Sequence, residues 1–203
     1  MAYLESFILG ISLAAIPGPI FFELIRRTLS KGFWSGACLA IGEFIGNFAI
    51  LLLTFFGIFG FLEIKAVKII IYLAGGLFLI WIGIMALKTN EKGIINSSKK
   101  TLSNKNSIIV GLGIALSSPL TITAWITIGG AYLSKYTTKA MALLNIFLLA
   151  LGVLAFFVTL ALIIYLVRKK INETYVVWMS RVFGVVLIGY GLYFMYQLVE
   201  MAL

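Results

Sequence analysis

Two prolines flank one glycine inside an apolar stretch, at Pro17, Gly18 and Pro19. Each proline removes a backbone donor, and its ring clashes with the preceding turn. Together they predict a broken helix. In hydrocarbon the freed backbone groups must be satisfied by protein or water, so such a break is tolerated where it is buried or lines a cavity. The half-helix ends then offer partial charges that suit a carboxylate or a cation. A second break is expected at Ser118-Pro119, with Ser117, Thr121 and Thr123 around it. Those hydroxyls can satisfy freed carbonyls or line a polar path, and both readings stand.

Glu43 lies in Leu39-Ala40-Ile41-Gly42-Glu43-Phe44-Ile45-Gly46-Asn47, with no basic residue within a turn. A carboxyl deep in a bilayer is costly and marks a functional site by default. It is suited to carry a proton or to meet a substrate ammonium. Asn47 is at i+4 and shares its face. Gly42 and Gly46 form a small-xxx-small pair that admits another helix closely. Glu23 stands three and four residues before Arg26 and Arg27, a spacing that lets them pair on one helix face. It reads as an ion pair near the cytoplasmic end, with a coupling role as the alternative. Asn145, early in a later apolar stretch, either mirrors Asn47 or joins helices. Trp81, Trp125 and Trp178 read as interface anchors and packing.

Other chemistry is excluded by what the chain lacks. It has no His and one Cys, Cys38. No imidazole metal site, intrachain disulfide or two-cysteine redox site can be built from these. There is no Asp for an intramembrane aspartyl protease, and no evident base beside a serine. No enzyme is expected.

These residues need a membrane to position them. Of 203 residues, 62% are hydrophobic and 11% charged, against ~45–50% and ~25% in soluble domains. The net charge of +9 does not point to nucleic acid, because the basic residues sit between apolar runs. A span takes roughly 20 apolar residues, and six stretches qualify: about 4–25, 36–61, 67–87, 108–133, 140–167 and 182–199. The first reads as a retained span. The 1–2, 3–4 and 5–6 connections carry most of the Lys and Arg, including Arg26, Arg27, Lys88, Lys105, Arg168 and Arg181. Short basic loops stay cytoplasmic, so both termini are expected outside. A hydrophilic linker at about 88–107 divides one membrane domain (1–203) into two halves, about 1–90 and 108–203. Gly76 to Gly83 and Gly184 to Gly191 both read GxxLIxxG. Three spans per half force opposite orientations. The expected fold is therefore all-α: six transmembrane helices in two inverted three-helix repeats, with helices 1 and 4 broken at proline.

Together these features resemble the LysE/RhtB amino-acid exporter family, along nearly the whole chain. The resemblance rests on Pro17-Gly18-Pro19 followed by Arg26, Arg27 and Leu29-Ser30-Lys31-Gly32, on Gly76 to Lys88, on Gly111 to Pro119 and on Arg181 to Gly191. Ile20 and Ser118 stand where the family usually has Asn, and Asn47 where many members have Asp. The resemblance implies export of amino acids or related small metabolites, coupled to an H+ or Na+ gradient, without a cofactor. A homodimer is open to it. A metal or inorganic-ion exporter of similar architecture, or a non-transporting assembly factor, is the alternative.

Overall fold

A computed structural model of the chain describes residues 2–57, 64–89, 104–135, 138–168 and 171–202. All regular structure in them is helical. The order is α1 (Ala2–Ala14), α2 (Pro19–Lys31), α3 (Phe33–Phe55), α4 (Lys65–Leu87), α5 (Asn104–Ser117), α6 (Pro119–Lys135), α7 (Lys139–Arg168) and α8 (Glu173–Ala202). Four of these, α3, α4, α7 and α8, are each long and apolar enough to cross a bilayer. The other four form two bent pairs, at 77° between α1 and α2 and 72° between α5 and α6. With each pair counted as one span, the described residues hold six.

Both bends sit where proline dictates. Pro19 opens α2 and Pro119 opens α6, positions where the missing N–H costs nothing and the fixed φ suits a first turn. Gly18 before Pro19 is extended, at φ −141° and ψ −176°, as a residue preceding proline prefers.

Small residues set how closely the helices pack. A Cβ added to Gly42 of α3 would overlap the Ile108 carbonyl of α5, and one added to Gly111 of α5 would overlap the Leu39 carbonyl of α3. The predicted small-xxx-small pair therefore does pack, with Gly46 against Ala115. The same arrangement occurs between α1 and α7. There a Cβ on Gly10 would overlap the Leu149 carbonyl, and one on Gly152 the Phe7 carbonyl. Helices α4 and α8 cross antiparallel through their GxxLIxxG segments, Gly76 against Gly191 and Gly83 against Gly184. Gly42→Val is expected to force α3 off α5 at a cost of ~1–3 kcal/mol or more. The check is a fall in melting temperature in detergent, against no fall for Gly189→Ala, where an added Cβ meets nothing.

The core holds Leu24, Leu39, Leu51, Ile146, Leu149, Phe157, Leu187 and Phe194 between these helices. Large apolar side chains such as Ile70, Trp81, Ile109 and Trp178 point outward, the pattern of a surface solvated by lipid.

Three sequence boundaries are corrected. Helix α8 begins at Glu173, well before the expected 182, so Arg181 lies on the helix rather than in the 5–6 connection. Val176 and Val177 pack on Leu29 and carry the helix past its most apolar window. Arg26 and Arg27 likewise lie within α2, which is joined to α3 by Gly32 alone at φ 92°. Most of the expected 88–107 linker lies outside the described residues; Asn104 to Ser107 already belong to α5.

Candidate functional site

The two breaks open onto one cavity of about 260 Å³. Pro17, Gly18 and Pro19 line it from the first break, and Ser118 and Thr121 from the second. Glu43 and Asn47 line it from α3. Seven of the residues singled out in the sequence thus meet at one place. Pro119 lies at the second break by its backbone, and its side chain is outside the described set.

Ser118 is the N-cap of α6. Its Oγ accepts the Thr121 backbone N–H at 3.4 Å and the Thr121 hydroxyl at 2.8 Å. Gly18 caps α2 with no side-chain hydrogen bond. The Tyr190 hydroxyl donates to the Pro17 carbonyl at 3.3 Å, satisfying one group that the break frees. Ser117 donates to its own helix, to the Gly113 carbonyl. Of the hydroxyls around Pro119, then, Ser117 serves its own helix, while Ser118 caps α6 and, with Thr121, belongs to the cavity lining.

Glu43 lies ten residues into the 23-residue α3. At 1.5 Å per residue that is about 15 Å from the Phe33 end, close to the helix centre. Its side chain is buried, and Oε1 accepts the Asn47 amide at 3.2 Å. Glu43 Oε2 and Asn47 Oδ1 are buried without a hydrogen-bond partner, and so is Trp125 Nε1. All three residues line the cavity.

Trp125 packs inside, as one of the two sequence readings allowed, but it also lines the cavity, which the sequence reading did not include. It is 5% exposed, whereas Trp81 and Trp178 are 52% and 64% exposed and fit the anchor reading. The missed signal was spacing. Ser118, Thr121, Ile122 and Trp125 stand at i, i+3, i+4 and i+7, one helix face. Tyr190, Phe194, Val153 and Phe157 also line the cavity and were hidden among similar apolar residues.

Asn145 is not in the lining. Its Oδ1 accepts the Ser6 hydroxyl at 2.7 Å, and its Nδ2 donates to the Met141 carbonyl at 2.8 Å. It joins α1 to α7, the second of its two sequence readings.

Glu23 is also elsewhere. It is fully buried and bound by both arginines. Arg26 grips it through two parallel bonds of 2.7 Å, and Arg27 Nε donates at 2.6 Å. Arg27 Nη1 reaches Ser107 of α5 at 3.1 Å, and Ser107 meets Ser35 of α3 at 2.9 Å. The expected ion pair exists, and it is part of a buried network across three helices.

Among the described residues no group of three or more His, Cys, Asp or Glu comes together. Among the described residues of the lining, Glu43 is the one carboxyl, and the remainder is largely aliphatic and aromatic.

Comparison with known proteins places this geometry in a family. The model of the LysE type translocator matches residues 11–198. The Bacillus subtilis (strain 168) protein named "Putative amino acid efflux protein YcgF" is 29% identical over 200 residues, 96% of this chain and 95% of its own. The Pseudomonas aeruginosa "Chemotactic transduction protein ChpE" is 27% identical over 129 residues, 64% of each chain. No solved structure matches. With a matching model that covers nearly all of it, this multi-pass helical membrane protein belongs to the LysE type translocator family.

Proposed function

We propose that the chain exports amino acids or related small metabolites across the cytoplasmic membrane, driven by an H+ or Na+ gradient. The observation that carries this reading is the convergence of both helix breaks, Glu43 and Asn47 on one cavity. The name of the Bacillus relative is in keeping with it.

Residues 1–203 form one transport domain of two inverted three-helix halves, about 1–90 and 108–203. The packing register supports this. Gly10 and Gly152 repeat the contact of Gly111 and Gly42, with Phe7 and Leu149 in the places of Ile108 and Leu39. Exchanging the halves also turns the Gly76–Gly191 contact into the Gly184–Gly83 contact, so the α4–α8 crossing maps onto itself. Even the Ser6–Asn145 bond has a counterpart in Ser107–Ser35. In this register Asn145 answers Ser35, and Asn47 answers Phe157, since Asn47 and Phe157 each stand five residues beyond the matched glycines Gly42 and Gly152.

Alternating access follows from the two halves rocking about the shared cavity, with the breaks as hinges. Glu43 takes the substrate amine or the coupling proton. Glu23, held by two arginines, fastens the basic end instead of moving charge. That end faces the cytoplasm, and both termini face outward.

The test is efflux from cells preloaded with a panel of amino acids and divalent metals. Faster loss of one or more amino acids, over cells without the protein, is the expected result. Faster loss of metals alone, or of nothing, contradicts it.

A further inference from the structure

We propose that the cavity selects a zwitterionic amino acid with a neutral, apolar side chain, holding the ammonium at Glu43 and Asn47 and the carboxylate at Trp125. This rests on the amino-acid reading above and narrows it.

Buried polar atoms are almost always hydrogen-bonded, and each exception calls for an explanation. Three exceptions belong to residues that line this cavity: Glu43 Oε2, Asn47 Oδ1 and Trp125 Nε1. The first two accept and the third can only donate. The acceptors lie one turn apart on α3, and the donor comes from α6 in the other half of the chain. A metal ion could use the two oxygens but has no use for an indole N–H. A simple anion could take the indole but would face the Glu43 carboxylate. An α-amino acid carries an all-donor ammonium and an all-acceptor carboxylate on one carbon, and so satisfies all three. The N-termini of α2 and α6 also open onto the cavity, and their partial positive charge favours the carboxylate end.

The rest of the lining chooses the side chain. Val153 and Phe157 line the cavity from the α7 positions that answer Glu43 and Asn47 on α3. The ammonium site on α3 is thus answered by an apolar wall on α7, which fixes one binding orientation. Leu13, Ile114 and Phe194 extend that apolar surface. A second charge, as on lysine or glutamate, would be buried there without a partner, at high cost.

The test uses the full chain purified in detergent, with binding measured calorimetrically for leucine, leucine amide, 4-methylpentanoate, lysine and glutamate. Leucine is expected to bind. Leucine amide lacks the carboxylate and 4-methylpentanoate the amine; each is expected to bind about tenfold more weakly or worse. Trp125→Phe is expected to weaken leucine about tenfold while leaving leucine amide where it was, which closes the gap between them. Lysine or glutamate binding tighter than leucine, or an equal affinity of the wild-type protein for leucine and its amide, overturns the selectivity while leaving amino-acid transport standing. Failure of every amino acid to bind or to be exported overturns both.

Discussion

Glu43→Gln is expected to lower export by on the order of a hundredfold while the protein remains inserted and folded. The substitution is nearly isosteric. Its amide oxygen can still accept the Asn47 Nδ2–H that Glu43 Oε1 now accepts at 3.2 Å. Packing around α3, including the Gly42 and Gly111 approach, is untouched. What disappears is the one carboxyl among the described residues of the lining. Losing one partner of a buried charge pair costs ~2–5 kcal/mol, hence the size of the fall. The measurement is initial efflux from loaded vesicles, normalised to protein by size-exclusion in detergent. Any dependence of export on the imposed proton gradient should go with it if Glu43 carries the coupling proton. Unchanged flux with unchanged pH dependence would remove Glu43 from the mechanism.

Glu23→Gln should act on the fold instead. The Glu23 carboxylate is fully buried and compensates two guanidiniums, which are 5% and 6% exposed by residue. Removing its charge leaves both uncompensated away from water, for a loss of ~3–5 kcal/mol. The expected readout is a large fall in melting temperature and in the yield of monodisperse protein. Replacing all three residues, as Glu23→Met with Arg26→Met and Arg27→Met, removes the buried charge altogether. It is expected to recover most of the loss, since apolar replacement of a whole buried ion cluster is often near neutral. A triple variant no more stable than the single one would show that the network holds the helices by more than its charge balance. Ser107 and Ser35, which the network reaches at 3.1 Å and 2.9 Å, would then be the next contacts to test.

The elements that the sequence made readable are those with a local physical cause. Proline breaks a helix wherever it stands, so the bends before Pro19 and Pro119 could be placed. A carboxyl amid apolar residues is conspicuous, so Glu43 could be singled out, and Asn47 followed from its i+4 spacing. Glycines four apart announced a close crossing, although not that Gly111 of α5 would fill it. The rest depended on tertiary partners. Helix α8 starts early because Val176 and Val177 find Leu29, a contact no local window contains. Asn145 could have faced a cavity or another helix, and only Ser6 decides it. Trp125 looks like other membrane tryptophans until its helix face is seen to be the one carrying Ser118 and Thr121. In the proposed repeat, the pairing of Asn47 with Phe157, rather than with Asn145, rests on the packing register of Gly42 and Gly152, which no local window contains.

Water-filled access to the space between the two breaks can be measured with a single introduced thiol. Cys38 is the one native cysteine and is buried, so Cys38→Ala supplies a silent background. Ala124→Cys adds a thiol in the cavity lining, and Leu77→Cys adds one on an outward apolar face that is 53% exposed. Reaction with a charged, water-soluble thiol reagent is expected to be fast for Ala124→Cys, slow for Leu77→Cys, and slowed at Ala124→Cys alone by a transported amino acid. Equal, slow reaction at both positions, with no protection, would mean that no solute pathway runs between the broken helices.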